Sequence, residues 1–425
     1  MSLGRDAAET RSVLTAAWDG LPPALRTPTQ FLGRHYAGCG AVIGAMPRCD
    51  FTCSGCYLGA DANRARPRPV AELEAQLREI RAWLGPAGNV QLTDGEVTLR
   101  DEAELTRVIA YAREIGLVPM LMTHGETFRR KPGLLERLMT NGGLSEVSFH
   151  VDTTMRGRRD GYADARDEQH LDGLRAEFAH MIRTARRTTG RWLEAASTVT
   201  VTRRNLGGVP GIVRWFLANA DAFKMVSFQP LAAVGRTDPR LDGVGPDELW
   251  ERIAEGAGDA GIRVGEGALG HPACSRFVQG LAVPRGNGAT LVPLYRGDRP
   301  DDMRLLAELL DRLGGTSFRL DGPVRAARRA AAIVLRHGGF LARALLPHAW
   351  RLWRRAGTLR APYFCIVSHH FMSAAETATP LGRERLDACA FRVPIDGRLT
   401  PMCAVNALGI RESFYTGGSA PERAA

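Results

Sequence analysis

Between about residues 41 and 230, short apolar runs alternate with longer stretches of helical period, and this alternation restricts the fold more than any other feature of the chain. The runs are 41–46, 89–93, 118–123, 146–151, 195–202 and 224–229. Each has the length of a strand rather than of a helix. Between them Val70, Leu73, Leu77, Ile80 and Leu84 recur at three- and four-residue steps, as do Leu105, Val108, Ile109, Ala112 and Ile115. That spacing gives one apolar face per helix. Asp101 stands where an N-cap belongs, with Glu102 behind it to favour the positive end of the helix dipole. Further helices are expected at 134–139, 170–187 and 209–218. Six strand-then-helix units imply parallel strands joined by right-handed crossovers. Six falls short of a closed barrel, so the pattern leaves an open partial barrel or a doubly wound sheet. In both, ligands gather at the carboxyl ends of the strands, so unusual chemistry should follow strands rather than precede them.

Of the 425 residues, 44% are hydrophobic and 24% charged, which excludes disorder as the main state. No run approaches the roughly 20 apolar residues of a spanning helix, and the first residues do not resemble a secretory signal. A soluble, cytoplasmic protein is expected, divided into an N-terminal helical segment (1–40), a core (41–238) and a loop-rich, partly helical region (239–425). Stretches 237–247 and 256–271 are rich in Pro and Gly, and 417–425 should fray. The net charge of +10 is uneven. No acidic residue lies between Asp321 and Glu376, an interval that carries Arg325, Arg328, Arg329, Arg336, Arg343, Arg351, Arg354, Arg355 and Arg360.

Directly after the first run come Cys49, Cys53 and Cys56, with Gly55 for a tight turn and Tyr57 following. Three thiolates this close on one loop can wrap a single metal site. A closed structural zinc site needs four ligands. A 4Fe–4S cluster held by three cysteines leaves one iron open. Zinc completed by a distant cysteine, or unrelated buried thiols, are the alternatives.

This CxxxCxxC loop, followed by an aromatic, resembles that of the radical S-adenosylmethionine (SAM) superfamily. The resemblance implies an α/β fold, a partial (β/α)6 TIM-like barrel. It also implies a SAM-binding 4Fe–4S cluster on Cys49, Cys53 and Cys56, and an electron donor of flavodoxin or ferredoxin type. Thr93-Asp94-Gly95-Glu96 resembles the family's Gly-Gly-Glu motif, with Asp94 in place of the first Gly. Gly95 and Glu96 would then hold the SAM amino group. Ser148 and Asp152 after the fourth strand, Thr200, Thr202 and Asn205 after the fifth, and Gln229 after the sixth match positions of polar cofactor contacts, with Gly235-Arg236 behind. His124 and Glu126 follow the third strand.

Cys274, Cys365, Cys389 and Cys403 form a second, widely spaced group, suited to an auxiliary 4Fe–4S cluster, a zinc site or free thiols. The run from Leu386 to Asn406 resembles the C-terminal part of a radical SAM branch that includes tetraether lipid synthases and hydroxymethyl-dihydropterin methyltransferases. Cys39 reads as a small buried hydrophobe. Residues 324–360 mix Arg with Leu345, Leu346, Trp350 and Trp353, a composition of helices that lie on membrane surfaces, broken here by Gly338-Gly339 and Pro347. An Arg-rich exposed face is the plain alternative, and no nucleic-acid module is recognisable. The expectation is a radical SAM enzyme abstracting hydrogen from an unactivated carbon, for example of a lipid acyl chain. Against it stand a peptide- or pterin-modifying maturase or methyltransferase, and a non-catalytic zinc scaffold.

Overall fold

The computed structural model describes residues 3–258, 267–286, 288–319 and 322–416. The tail 417–425, and residues 259–266 of the Gly-rich stretch, lie outside the described residues. Among the described residues, hydrogen bonding joins eleven strands into one sheet. Its middle is the six expected runs: β1 (Cys39–Val42), β2 (Asn89–Leu92), β3 (Val118–Thr123), β4 (Glu146–His150), β5 (Glu194–Val201) and β6 (Met225–Pro230), each parallel to the next. Helices Val70–Leu84, Glu102–Glu114, Leu134–Asn141, Asp172–Thr189 and Val209–Ala218 fall in the connections. Asp101 caps the second of these, accepting from the amides of Ala103 and Glu104 at 3.0 and 3.1 Å. This is the partial (β/α)6 barrel.

The alternation of side chains along each strand decides what reaches the interior. On β4, Val147 and Phe149 turn outward into the helical layer, where Phe149 stacks on Phe178 with ring centroids 4.4 Å apart. Glu146, Ser148 and His150 turn inward. β5 repeats the pattern, with Ala195 and Val199 among the helices and Ala196, Thr198 and Thr200 inside. The apolar face anchors the helices and leaves the inner face polar.

Region 239–425 supplies more than loops and helices. It adds β7 (Ser275–Arg285), β8 (Gly288–Pro293), β9 (Tyr363–His369), β10 (Phe391–Ile395) and β11 (Arg398–Pro401). β9 runs parallel beside β6, and β10 runs parallel beside β1, so the C-terminal region extends the sheet at both edges. The basic segment is likewise continuous: one helix spans Pro323–Ala356, and the expected breaks at Gly338-Gly339 and Pro347 do not occur. A helical Gly costs only about 1 kcal/mol relative to Ala. Pro347 removes one backbone donor. Buried Phe340 before it and Leu352 after it hold both halves against the body. No described helix is long and apolar enough to cross a membrane.

Glu146, at the amino end of β4, is buried inside the barrel, accepting from Asn89 Nδ2 at 2.7 Å with Arg319 at 3.5 Å. Burial pushes its carboxyl up from the ordinary 4.5 to about 7. The fold therefore favours the protonated form. Its contribution to stability is full below pH 4.5 and is lost as pH rises through 7. At 1.36 kcal/mol per pKa unit the loss reaches about 3 kcal/mol. Glu146→Gln should thus be more stable than the parent by up to about that amount at pH 8 and nearly equal to it at pH 4. Urea unfolding at the two pH values checks this; an equal change at both would show that the carboxyl does not titrate between them.

Candidate active site

A cavity of about 190 Å³ opens at the carboxyl ends of β2 to β6, and Cys49, Cys53 and Cys56 all line it. The loop that carries them is fixed by its backbone. Thr52 N donates to Arg156 O and Ser54 N to Thr154 O, both at 2.8 Å, while Arg236 N donates to Cys56 O at 3.0 Å. Gly235 is obligatory behind the loop: its φ is +57°, and a Cβ there would lie 2.3 Å from the Tyr57 carbonyl. Burial pushes the Cys53 thiol up to about 12 and raises that of Cys49 as well. Without a cationic centre both sulfurs hold their protons.

The donor set separates two kinds of metal. Tetrahedral zinc has bonds of about 2.0–2.3 Å, which puts its ligand atoms within about 4 Å of one another. Among the described residues, the one group of three ligand atoms gathered within 4.8 Å is Cys49, Asp50 and His124, not the three sulfurs. Three cysteines that share one cavity wall without converging on a point fit a cluster several atoms across, with one corner left open.

Opposite them lies the turn after β2. Gly95 passes close to the cysteine loop: its amide donates to Met46 O at 2.9 Å, and a Cβ would sit 2.3 Å from Arg48 O. Glu96 is buried, accepting from Thr98 N at 3.1 Å, Thr123 Oγ1 at 2.7 Å and His124 N at 2.8 Å. His124 reaches back to the loop, with Nε2 2.8 Å from Asp50 Oδ1 and its ring stacked on Phe51 at 3.9 Å. The hydrogen bond from His124 holds the Asp50 carboxyl well below the usual range. His124 therefore ties the Glu96 turn to the cysteine loop, and it lines the cavity. Glu126, also buried, pairs with Arg129 at 2.9 Å and does not line it.

Asp94, in place of the family's glycine, has an ordinary backbone and a buried partner. Arg411, fully buried on the C-terminal helix Ile410–Thr416, donates to Asp94 Oδ1 at 2.9 Å; Tyr415 OH and Gly44 N donate to the same carboxylate. The Arg411 guanidinium lies 4.8 Å from the Tyr57 ring centroid, and Tyr57 OH donates to Asp94 O. The segment after β11 thus closes one side of the cavity, with Met402, Asn406 and Arg411 in its wall.

Ser148 and Gln229 line the cavity as expected positions, and His150, Thr198 and Thr200 line it beside them. Asp152, Thr202 and Asn205 are not among the residues that line it. The Asp152 carboxylate accepts from Thr154 N (2.8 Å) and Thr200 N (2.7 Å) and lies 2.8 Å from His150 Nε2. Asn205 accepts from Thr202 N at 2.8 Å and donates to Glu168 and the Thr200 carbonyl. These three tie the strand ends together from behind. The signal for His150 was available: it follows Ser148 by two residues on the same face of β4.

The second cysteine group divides. Cys274, Cys389 and Cys403 lie near enough for their charges to interact, and burial pushes Cys403 up to about 12. Arg385 Nε donates to Cys274 Sγ at 3.3 Å. Cys365 is elsewhere. It lies on β9 opposite Met225 and lines a separate cavity of about 250 Å³ at the amino ends of the strands, with Glu146 and Tyr363. A four-sulfur centre using Cys365 is excluded by its position on β9. Cys39 is half-buried, its thiol pushed up to about 12 by desolvation, and it donates to Asn89 Oδ1 at 3.2 Å.

Comparison with known proteins agrees with the cysteine loop. The family model described as the radical SAM superfamily matches residues 43–191. The 7,8-dihydro-6-hydroxymethylpterin dimethyltransferase of Methanocaldococcus jannaschii is 23% identical over 201 residues, 47% of this chain. The chain spans 38% of that relative's length. Among solved structures, Streptococcus suis SuiB bound to precursor peptide SuiA aligns at 16% identity over 51% of this chain and 45% of that chain, with a TM-score of 0.38. Methylornithine synthase (PylB) aligns at 13% identity over 58% of this chain and 69% of that chain, with a TM-score of 0.34. Radical SAM proteins use SAM with a 4Fe–4S cluster and generally need a reductant such as flavodoxin or ferredoxin. With the family model over residues 43–191 and the cysteine loop on the cavity wall, the chain carries a radical SAM domain and is an enzyme of that class.

Proposed function

We propose that the enzyme abstracts hydrogen from an unactivated carbon of an apolar substrate, a lipid acyl chain being the class that fits best. One observation carries this reading: the cavity wall that holds Cys49, Cys53, Cys56 and Glu96 is completed by Met122, Met155, Val234, Phe371 and Met402. Cys49, Cys53 and Cys56 would hold the 4Fe–4S cluster. Bound together, the reduced cluster and SAM supply a 5′-deoxyadenosyl radical, the hydrogen-abstracting species. The chain's residues position and shield. Glu96, held by four donors from Thr98, Thr123 and His124, presents its carboxylate to the SAM amino group beside the Gly95 backbone. Arg236 lines the cavity, and its buried Nε has no hydrogen-bond partner among the described residues, so it is suited to the SAM carboxylate. Ser148, His150 and Gln229 offer polar contacts to the ribose. The methionines and Phe371 exclude water.

Cys274, Cys389 and Cys403 would hold an auxiliary centre, with Arg385 favouring negative charge on the sulfur. The electron donor would be of flavodoxin or ferredoxin type. A pterin substrate is the second reading, favoured by the relative's name alone.

The test is product analysis. Anaerobically reconstituted protein should be brown and, with SAM and a reductant, release 5′-deoxyadenosine faster when a lipid substrate is present. Stimulation by a reduced pterin alone would establish the second reading. A colourless protein holding zinc at the cysteine loop would end both.

A further inference from the structure

We infer that the outward face of helix Pro323–Ala356 is a docking surface for an anionic lipid bilayer. The inference rests on the helix alone and is tested without turnover. One side of the helix is committed to the body. Phe340, Leu352 and Ala356 are buried, Arg312 sits 4.7 Å over the Phe340 ring, and Arg351 pairs with Asp302 at 3.2 Å. The other side has no cover among the described residues. At 3.6 residues per turn, Val324, Leu335, Leu346 and Trp353, spaced by 11, 11 and 7, fall within about 40° of one another. Leu335 is 87% exposed, Leu346 68% and Val324 65%. Trp350 stands beside this stripe, 59% exposed and stacked on Trp353.

The arginines are ordered in the same register. Arg325, Arg336, Arg343 and Arg354 follow steps of 11, 7 and 11, and so form a row along one flank of the stripe, within about 20° of one another. Each lacks an ion-pair partner among the described residues. The helix contains no acidic residue to oppose them. Long arginine stems laid beside an apolar stripe can rest on hydrocarbon while their heads reach phosphate. Exposed tryptophans suit the boundary between acyl chain and headgroup. A stripe of Val and Leu this exposed gains nothing from nucleic acid, whereas insertion to the acyl boundary buries it. The helix is about 51 Å long, so it would lie along a membrane, not through it.

The test is flotation of the full chain with phosphatidylglycerol–phosphatidylcholine vesicles and with phosphatidylcholine vesicles. Binding should be at least about tenfold tighter to the anionic vesicles, weaken with salt, and shift tryptophan emission to the blue. Two variants, Leu335→Glu/Leu346→Glu and Arg325→Glu/Arg336→Glu/Arg343→Glu, should each lose about tenfold or more in binding with unchanged circular dichroism, because neither touches the buried side. The proposal is overturned if the parent does not float, if both variants float like the parent, or if charge in the vesicle makes no difference. Tighter binding to duplex DNA or RNA than to anionic vesicles, or a dimer that dissociates on Leu335→Glu, would also overturn it and give the face to nucleic acid or a second copy.

Discussion

Replacing Cys53 by Ala should reduce reductive cleavage of SAM by about a thousandfold or more, the scale seen when a group that acts as part of a catalytic unit is removed. The fold should survive. The loop's position depends on backbone hydrogen bonds from Thr52, Ser54 and Arg236, none of which uses the Cys53 side chain. The buried thiol meets the Arg156 backbone, and burial leaves it protonated unless a cation is present. The variant should lose roughly four iron atoms per chain and the visible absorption that goes with them. Any centre on Cys274, Cys389 and Cys403 should keep its metal, since those sulfurs lie beyond the barrel strands, on loops and helices of the C-terminal region. Iron content and 5′-deoxyadenosine release, measured on the same sample with a thermal melt as control, separate the outcomes. A variant that folds, loses its iron and still cleaves SAM at half the parent rate would remove the cluster from Cys53. A variant that keeps all its iron would do the same.

What the sequence made legible follows from the range of each signal. β1 to β6 and their helices were readable because period-two and period-3.6 patterns are local, and Asp101 carries its own capping chemistry. The cysteine loop was readable because its ligands are within eight residues of one another. β9 and β10 were not: β10 pairs with β1 across more than 300 residues, and nothing in Phe391–Ile395 names its partner. Asp152, Thr202 and Asn205 stand at the right place in the chain, but a polar residue after a strand can serve the ligand or its neighbours equally well. Here Asp152 meets the Thr154 and Thr200 amides. The break expected at Pro347 failed because local propensity is weak beside tertiary contacts that hold both sides of the proline. Cys365 was grouped with Cys274, Cys389 and Cys403 by count alone, and only the register of β9 against β6 places it at the other end of the barrel.

The second large effect concerns Asp94, where the chain departs from its family's glycine. Its Cβ meets no backbone strain, so the departure needs no conformational compensation. It needs an electrostatic one. A carboxylate buried at this depth requires partners, and the chain provides Arg411, Tyr415 and the Gly44 amide, the first two from a helix more than 300 residues away. Breaking a buried pair by removing one member leaves an uncompensated charge, at a cost of about 3–5 kcal/mol. Arg411→Met should therefore destabilise the protein by about that amount, and Asp94→Gly, which strands the guanidinium, by a similar one. The double variant, Asp94→Gly with Arg411→Met, restores the family's glycine and leaves no charge behind. It should lie well above the sum of the singles in stability, with a coupling of about 2–3 kcal/mol. The same network clamps Tyr57, the residue after Cys56, between Arg411 and the Asp94 carbonyl. Arg411→Met should consequently slow SAM cleavage even where the protein is fully folded, because the cysteine loop loses its outer wall. Urea midpoints for the four proteins, with 5′-deoxyadenosine rates at a temperature where all are native, test both parts. Additive stabilities would dissolve the pairing, and native-like turnover in Arg411→Met would make the C-terminal helix a mere cover. If instead the coupling and the slowed turnover appear together, the glycine-to-aspartate change and the C-terminal helix are one adaptation: the chain traded backbone freedom at the cofactor turn for a charge that locks its own C-terminal segment onto the site.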